Sequence, residues 1–108
     1  MTATNTPSRR QKLEEFITAH PGDAFARYGL AMECAREGDH DAALGHFRRL
    51  LGDHPDYLPA YLQYGQFLAR LARNDEARGI FSAGVLIARR RGASHAADEM
   101  QAALDALR

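Results

Sequence analysis

The feature that most constrains this chain is a repeat of 34 residues. Ala24 to Tyr57 lies over Leu58 to Arg91 without a gap. The overlay matches Ala26 with Ala60, Ala35 with Ala69, Arg36 with Arg70, Asp41 with Asp75, Ala43 with Ala77, Gly45 with Gly79 and Phe47 with Phe81, seven identities in 34 positions. Other pairs keep only the character of the position: Ala31 with Gly65, Cys34 with Leu68, Leu51 with Val85, Leu30 with Tyr64. The period also runs backwards, since Pro21 lies 34 before Pro55 and Leu13 lies 34 before Phe47. Residues 7–20 therefore read as the second half of an incomplete repeat. Fixed periods of this length mark arrays of supersecondary units that bury their apolar faces by stacking.

Inside each unit the apolar spacing is helical. Leu44, Phe47, Leu50 and Leu51, and in the next unit Ala77, Ile80, Phe81, Gly84 and Val85, recur in steps of three and four. The punctuation agrees. Thr6-Pro7 suits a helix start, Asp23 a cap for a helix to about Glu37, and Gly38-Asp39 a break before a helix near Asp41 that Pro55 ends. Pro59 fits a first turn, Asn74 caps a helix through about Ala88, Gly92 stops it, and Ser94 caps the last one. The sequence predicts six helices and no strands, an all-α fold in one domain. Its parts are a disordered tail (1–6), a leading helix (7–20), two repeat units (24–57 and 58–91) and a closing helix (94–108). That last helix gathers Ala96, Ala97, Met100, Ala103, Leu104 and Leu107 on one face, which suits either a cap over the end of the stack or an interaction helix.

The unit resembles the tetratricopeptide repeat. The first unit offers Leu30-Ala31, Cys34, Ala43, Phe47, Leu50 and Pro55; the second offers Tyr61, Tyr64-Gly65, Leu68, Ala77, Phe81 and Gly84. The likeness covers about Leu13 to Ala88. Three positions depart from it: Arg27 stands where an aromatic is preferred, Leu50 where Ala is, and Arg89 where Pro would close the second unit. The first two predict looser packing in unit one, although an Arg stem can cover apolar surface. Arg89 predicts a longer final repeat helix. With only two complete units, the flanking helices must supply the rest of the stack.

The resemblance implies an α-solenoid whose first helices line a concave groove that binds a peptide or helix of a partner protein. Carried onto this chain, the groove positions are Phe25, Tyr28, Met32, Ala35 and Arg36, then Pro59, Leu62, Gln63, Gln66, Ala69 and Arg70. Phe25, Tyr28, Met32, Arg36, Leu62, Gln63, Gln66 and Arg70 are the candidate protein-binding residues. Tyr and Met supply adaptable contact area, and an Arg forks to a carboxylate. The alternative for Phe25, Tyr28 and Leu62 is burial against the leading helix. One subtype of the family grips a C-terminal carboxylate with Lys and Asn. Tyr28, Met32 and Gln63 stand in those places, so that chaperone-tail specificity is disfavoured.

The rest of the composition excludes more than it suggests. Fourteen Lys and Arg balance fourteen Asp and Glu, without the positive field of a nucleic-acid or anionic-membrane binder. Arg89-Arg90-Arg91 is the one dense basic run and suits a helix C-terminus. A single Cys34 rules out an internal disulfide and points to a reducing, cytoplasmic setting; the chain has no signal-peptide core and no stretch long enough to span a bilayer. His20, His40, His46, His54 and His95 form no metal-ligand pattern, and neither Ser82 nor Cys34 has a patterned base. No catalytic residue, metal or cofactor is expected. Gly45 and Gly79 fall at one repeat position and are costly inside a helix, so close approach by another helix, including one from a second copy, is one explanation and composition drift another. The sequence reads as a non-enzymatic adaptor or scaffold, co-chaperone-like, that binds a protein. The alternative is a self-associating assembly module, such as a homodimer. A small-ligand cleft between the leading helix and unit one is a third reading.

Overall fold

A computed structural model describes residues 6–108 and contains six helices: α1 (Arg9–Ala19), α2 (Ala24–Glu37), α3 (His40–Asp53), α4 (Leu58–Arg70), α5 (Asn74–Arg90) and α6 (Ser94–Asp105). No strand occurs among the described residues, so the fold is all-α. Except for Thr6, the expected disordered tail lies outside the described residues. The helices gather into two compact units, α1 to α3 and α4 to α6. In the first, α2 packs on both α1 and α3; in the second, α5 packs on both α4 and α6, and α6 also reaches α4.

Local chemistry sets the helix ends. The cap of α1 is Ser8, not Thr6. Ser8 Oγ accepts the Gln11 amide at 3.1 Å and Gln11 Oε1 accepts the Ser8 amide at 2.8 Å. This reciprocal arrangement needs an acceptor three residues after the cap. Thr6 has Arg9 there, which cannot accept. Asp23 caps α2 as expected, its Oδ1 accepting the Ala26 amide at 2.8 Å.

Three helices end by one device. The Gly38 and Asp39 amides bond back to Ala35 and Cys34 at 3.2 and 3.0 Å, those of Ala72 and Arg73 to Ala69 and Leu68 at 3.0 and 2.9 Å, and those of Gly92 and Ala93 to Arg89 and Ala88 at 3.1 and 2.8 Å. This closure needs a left-handed residue, supplied by Gly38 (φ 82°), Ala72 (φ 60°) and Gly92 (φ 70°). Ala72, the repeat equivalent of Gly38, carries a Cβ into that region at a cost of about 1 to 2 kcal/mol. The device also fixes where the next helix starts. Asp39, Arg73 and Ala93 stand immediately before α3, α5 and α6, and of the three only Asp39 caps with its side chain, accepting the Ala42 amide at 3.3 Å. Asn74 and Ser94, expected as caps, are the first helical residues instead. α5 runs to Arg90, beyond the expected Ala88, with Arg89 where a proline would have stopped it.

Small residues set the packing. A Cβ on Gly65 would fall 2.4 Å from the Phe81 ring, and one on Gly84 would fall 2.4 Å from Met100 Sδ and 2.7 Å from Tyr61 Cβ. These two glycines let α5 approach α4 and let α6 seat Met100 over α5. In the first unit Leu30, Ala31, Cys34, Ala43, Phe47 and Leu50 are fully buried. Arg27 does not loosen that unit. It is only 9 % exposed, and its guanidinium donates to the Pro21 carbonyl at 3.4 Å. Its repeat equivalent Tyr61 is also buried and donates its hydroxyl to the carbonyl of Pro55, the repeat equivalent of Pro21. A long stem with a polar tip therefore does in one unit what a phenol does in the other.

Gly45 and Gly79 have nothing within 4 Å of a built Cβ, so no neighbour within the chain requires them. The four glycines separate in a denaturation series. Gly65→Ala and Gly84→Ala are expected to lose about 1 to 3 kcal/mol through overpacking. Gly45→Ala and Gly79→Ala are expected to gain up to about 1 kcal/mol of helix propensity.

Candidate functional site

The expected binding residues lie on α2 in the first unit and α4 in the second, and each unit places its own set. On α2, Phe25 is 76 % exposed, which answers the question of its burial against the leading helix; Tyr28 and Met32 are half-buried and Arg36 is exposed. Spacings of three and four put these side chains along one helix face. Phe25 lines a hollow of about 250 Å³ between α1 and α2 together with Arg9, Leu13, Phe16, Asp23, Ala26 and Gly29. On α4, Leu62, Gln63 and Gln66 are half-buried and Arg70 is exposed. Gln66 and Arg70 line a hollow of about 360 Å³ with Ala69, Phe81, Ala103, Ala106 and Leu107, and Leu62 and Gln63 lie outside that lining. The Arg70 guanidinium carbon sits 5.7 Å from the centre of the Phe67 ring, a cation–π contact that holds it at the rim.

The α1 residues at the first hollow escaped the sequence reading. Their signal was the period itself. Arg9, Leu13 and Phe16 stand 34 before Ala43, Phe47 and Leu50, which are 0 % exposed, yet Phe16 is 45 % exposed. The positions that form core in α3 form an open seam in α1. The α6 residues at the second hollow were visible only as one apolar face.

Charge is distributed unevenly around these faces. Arg10 donates to Glu14 (3.2 Å), Glu37 (3.2 Å) and Asp39 (2.9 Å), tying α1 to the end of α2 and to the α2–α3 turn. The Arg10 guanidinium and the Ala42 amide hold the Asp39 carboxyl below its ordinary range. Glu33 is buried and bonded by Arg36, with Arg9 at 3.5 Å. The Arg36 bond lowers the Glu33 carboxyl. Burial raises the Cys34 thiol and makes it a poor nucleophile. Among the described residues no group of His, Cys, Asp and Glu is assembled to hold a metal ion, and no helix is long and apolar enough to cross a membrane. Of the basic run, Arg91 ties the end of α5 to the Asp56 carbonyl at 2.6 Å.

The family model for the tetratricopeptide repeat matches residues 35–107. The match begins late in α2 and runs through α6, and the chain belongs to this family. A crystal structure of a tetratricopeptide repeat domain protein from Salinibacter ruber is 34 % identical, covering 76 % of this chain and 91 % of that one with a TM-score of 0.69. A solution structure of a tetratricopeptide repeat domain protein from the same organism is 34 % identical, covering 78 % and 85 %, with a TM-score of 0.74. A protein from Bordetella parapertussis, also solved in solution, is 26 % identical over 93 % of this chain and 87 % of that one, with a TM-score of 0.78. No curated protein matches the chain. The repeat generally mediates protein–protein interactions and is generally non-catalytic.

His46 gives the first unit a pH dependence. It is half-buried, with Nδ1 3.2 Å from Arg27 Nη1, and also feels Arg10, Glu14 and Asp39. Burial and then Arg27 push its pKa below the usual 6.5. Between the folded and unfolded values the unfolded chain binds more protons, so stability falls as pH drops below about 6.5. Denaturation midpoints measured across that window are expected to decline in the natural protein and to flatten in His46→Gln.

Proposed function

We propose that the chain is an adaptor that binds an extended or helical segment of a partner protein, using Phe25, Tyr28, Met32 and Arg36 on α2 and Leu62, Gln63, Gln66 and Arg70 on α4. The observation that carries this reading is the exposure of a large aromatic, Phe25, in line with Met32 and Arg36 on one helix face. Aromatic, thioether and guanidinium groups suit a segment with apolar anchors and an acidic side chain. No side chain of the set is a nucleophile poised beside a base, which favours a binding role over catalysis. A reducing compartment such as the cytoplasm suits the single buried thiol.

The test is a peptide array of amphipathic segments with and without acidic residues. Arg70→Glu reverses the charge on α4. Arg36→Gln removes it on α2 without placing a second carboxylate beside buried Glu33. Each substitution is expected to weaken binding of acidic peptides by about tenfold, or 1.4 kcal/mol. Binding indifferent to both would reject the assignment.

A further inference from the structure

We infer that the two repeats read different chemistry in a bound segment: Arg70 on α4 takes the carboxylate of an acidic side chain, and Arg36 on α2 takes a neutral acceptor such as a backbone carbonyl or a side-chain amide. The inference rests on the adaptor reading and deepens it by assigning the acid preference to one arginine.

The period makes the comparison direct. Arg36 and Arg70 stand 34 residues apart, and so do the residues one turn before them, Glu33 and Phe67. Both earlier residues are buried and both hold the arginine that follows, but by opposite means. Glu33 Oε1 accepts from Arg36 Nε at 3.0 Å and also from Nη2, which leaves the Nη1 donors to reach outward. Phe67 offers its ring to Arg70, whose guanidinium carbon lies 5.7 Å from the ring centre. A ring face fixes a guanidinium without cancelling its charge or occupying its five donors.

The surrounding charges sharpen the contrast. Arg9 approaches the other Glu33 oxygen at 3.5 Å, and Arg10 bonds Glu14, Glu37 and Asp39. Three arginines here meet four carboxylates, and Lys12 on the next turn of α1 brings the balance only to zero. A carboxylate arriving at Arg36 therefore gains hydrogen bonds without net Coulombic attraction, because Glu33 already holds the same guanidinium.

Among the described residues no carboxylate pairs with Arg70. The hollow it borders is otherwise lined by Gln66 and apolar side chains. Acids of the second unit are engaged elsewhere. Asp75 pairs with Arg78 at 2.9 Å, Glu76 with Arg73 at 2.8 Å, and Glu99 lies 3.4 Å from His95. Asp105 accepts from Gln101, which lines a separate hollow with Ser82 and Arg89. An acidic side chain seated beside the apolar lining thus meets a cation whose charge is still available.

Fluorescence anisotropy on the full chain tests this with two probes: the tightest acidic peptide from the array, and its analogue with every Asp and Glu replaced by Asn and Gln. At about 0.1 M sodium chloride the natural protein is expected to prefer the acidic probe by about tenfold. Arg70→Gln is expected to abolish that preference, whereas Arg36→Gln should weaken both probes alike and keep it. Raising the salt to about 1 M, where the screening length shortens to about 3 Å, should erase the preference and leave the loss in Arg36→Gln in place. Glu33→Gln keeps an acceptor for Arg36 and removes the negative charge, so it should raise the preference several-fold. Should that buried substitution unfold the chain, the two exposed arginines decide the matter. Equal binding of the probes by the natural protein, a preference that persists in Arg70→Gln, or one lost in Arg36→Gln overturns the inference and leaves the adaptor reading standing. Probe binding that neither arginine affects rejects the adaptor reading itself, and this inference with it.

Discussion

The second unit depends on the absence of a side chain. At Gly65 the Phe81 ring occupies the place a Cβ would take, so α4 and α5 meet backbone against ring. One turn further along α5, Gly84 leaves the space that Tyr61 of α4 and Met100 of α6 share, and Met100 rests where a second Cβ would stand. Two glycines at different repeat positions thus build a three-helix body in which each helix seats the next. In the first unit Ala31 and Phe47, both fully buried, hold the positions of Gly65 and Phe81, and Ala31 carries the Cβ that Gly65 lacks. Interiors packed to crystal-like density leave no slack for alternatives at such points.

The two units share geometry more than chemistry. Arg27 and Tyr61 have nothing in common as side chains except a long apolar body and a terminal donor, yet both are buried and both end on the carbonyl of a proline six residues back. Gly38 and Ala72 share only a left-handed backbone that closes one helix and begins the next. In each case the backbone dictates a requirement and the residue meets it imperfectly. Arg27 brings a buried cation beside His46, and Ala72 brings a strained Cβ.

α1 has the spacing of a repeat's second helix. Phe16 holds a position that is core in α3 and is nevertheless 45 % exposed, while the Arg10 network with Glu14, Glu37 and Asp39 fastens α1 to the end of α2 and the turn after it. The sequence reading assigned α1 to a half repeat and then placed the binding residues on α2 and α4 alone. Leu13, Phe16 and Arg9 were legible as equivalents of Phe47, Leu50 and Ala43. Their exposure was not, because a period states which positions correspond and not which of them find a neighbour. The caps at Ser8, Arg73 and Ala93 were missed for a related reason. Helix starts there are set by the closing hydrogen bonds of the preceding helix and by the acceptor at Gln11, which outweigh the intrinsic capping preference of Thr6, Asn74 and Ser94.

The sequence alone determined the helical class, the number of helices, the family and the residues of the core, since each rests on apolar spacing and on glycine and proline positions that act over one or two turns. Tertiary structure decided which of those apolar residues remain in water, how a charged Arg27 is accommodated, and what each small residue meets. The repeat pattern separates Gly65, the small residue of the Tyr64-Gly65 pair, from Gly79, whose place in a helix is a cost. Only the fold supplies the reasons: the ring of Phe81, sixteen residues away, fills the place of a Cβ at Gly65, and a Cβ at Gly79 would meet open space.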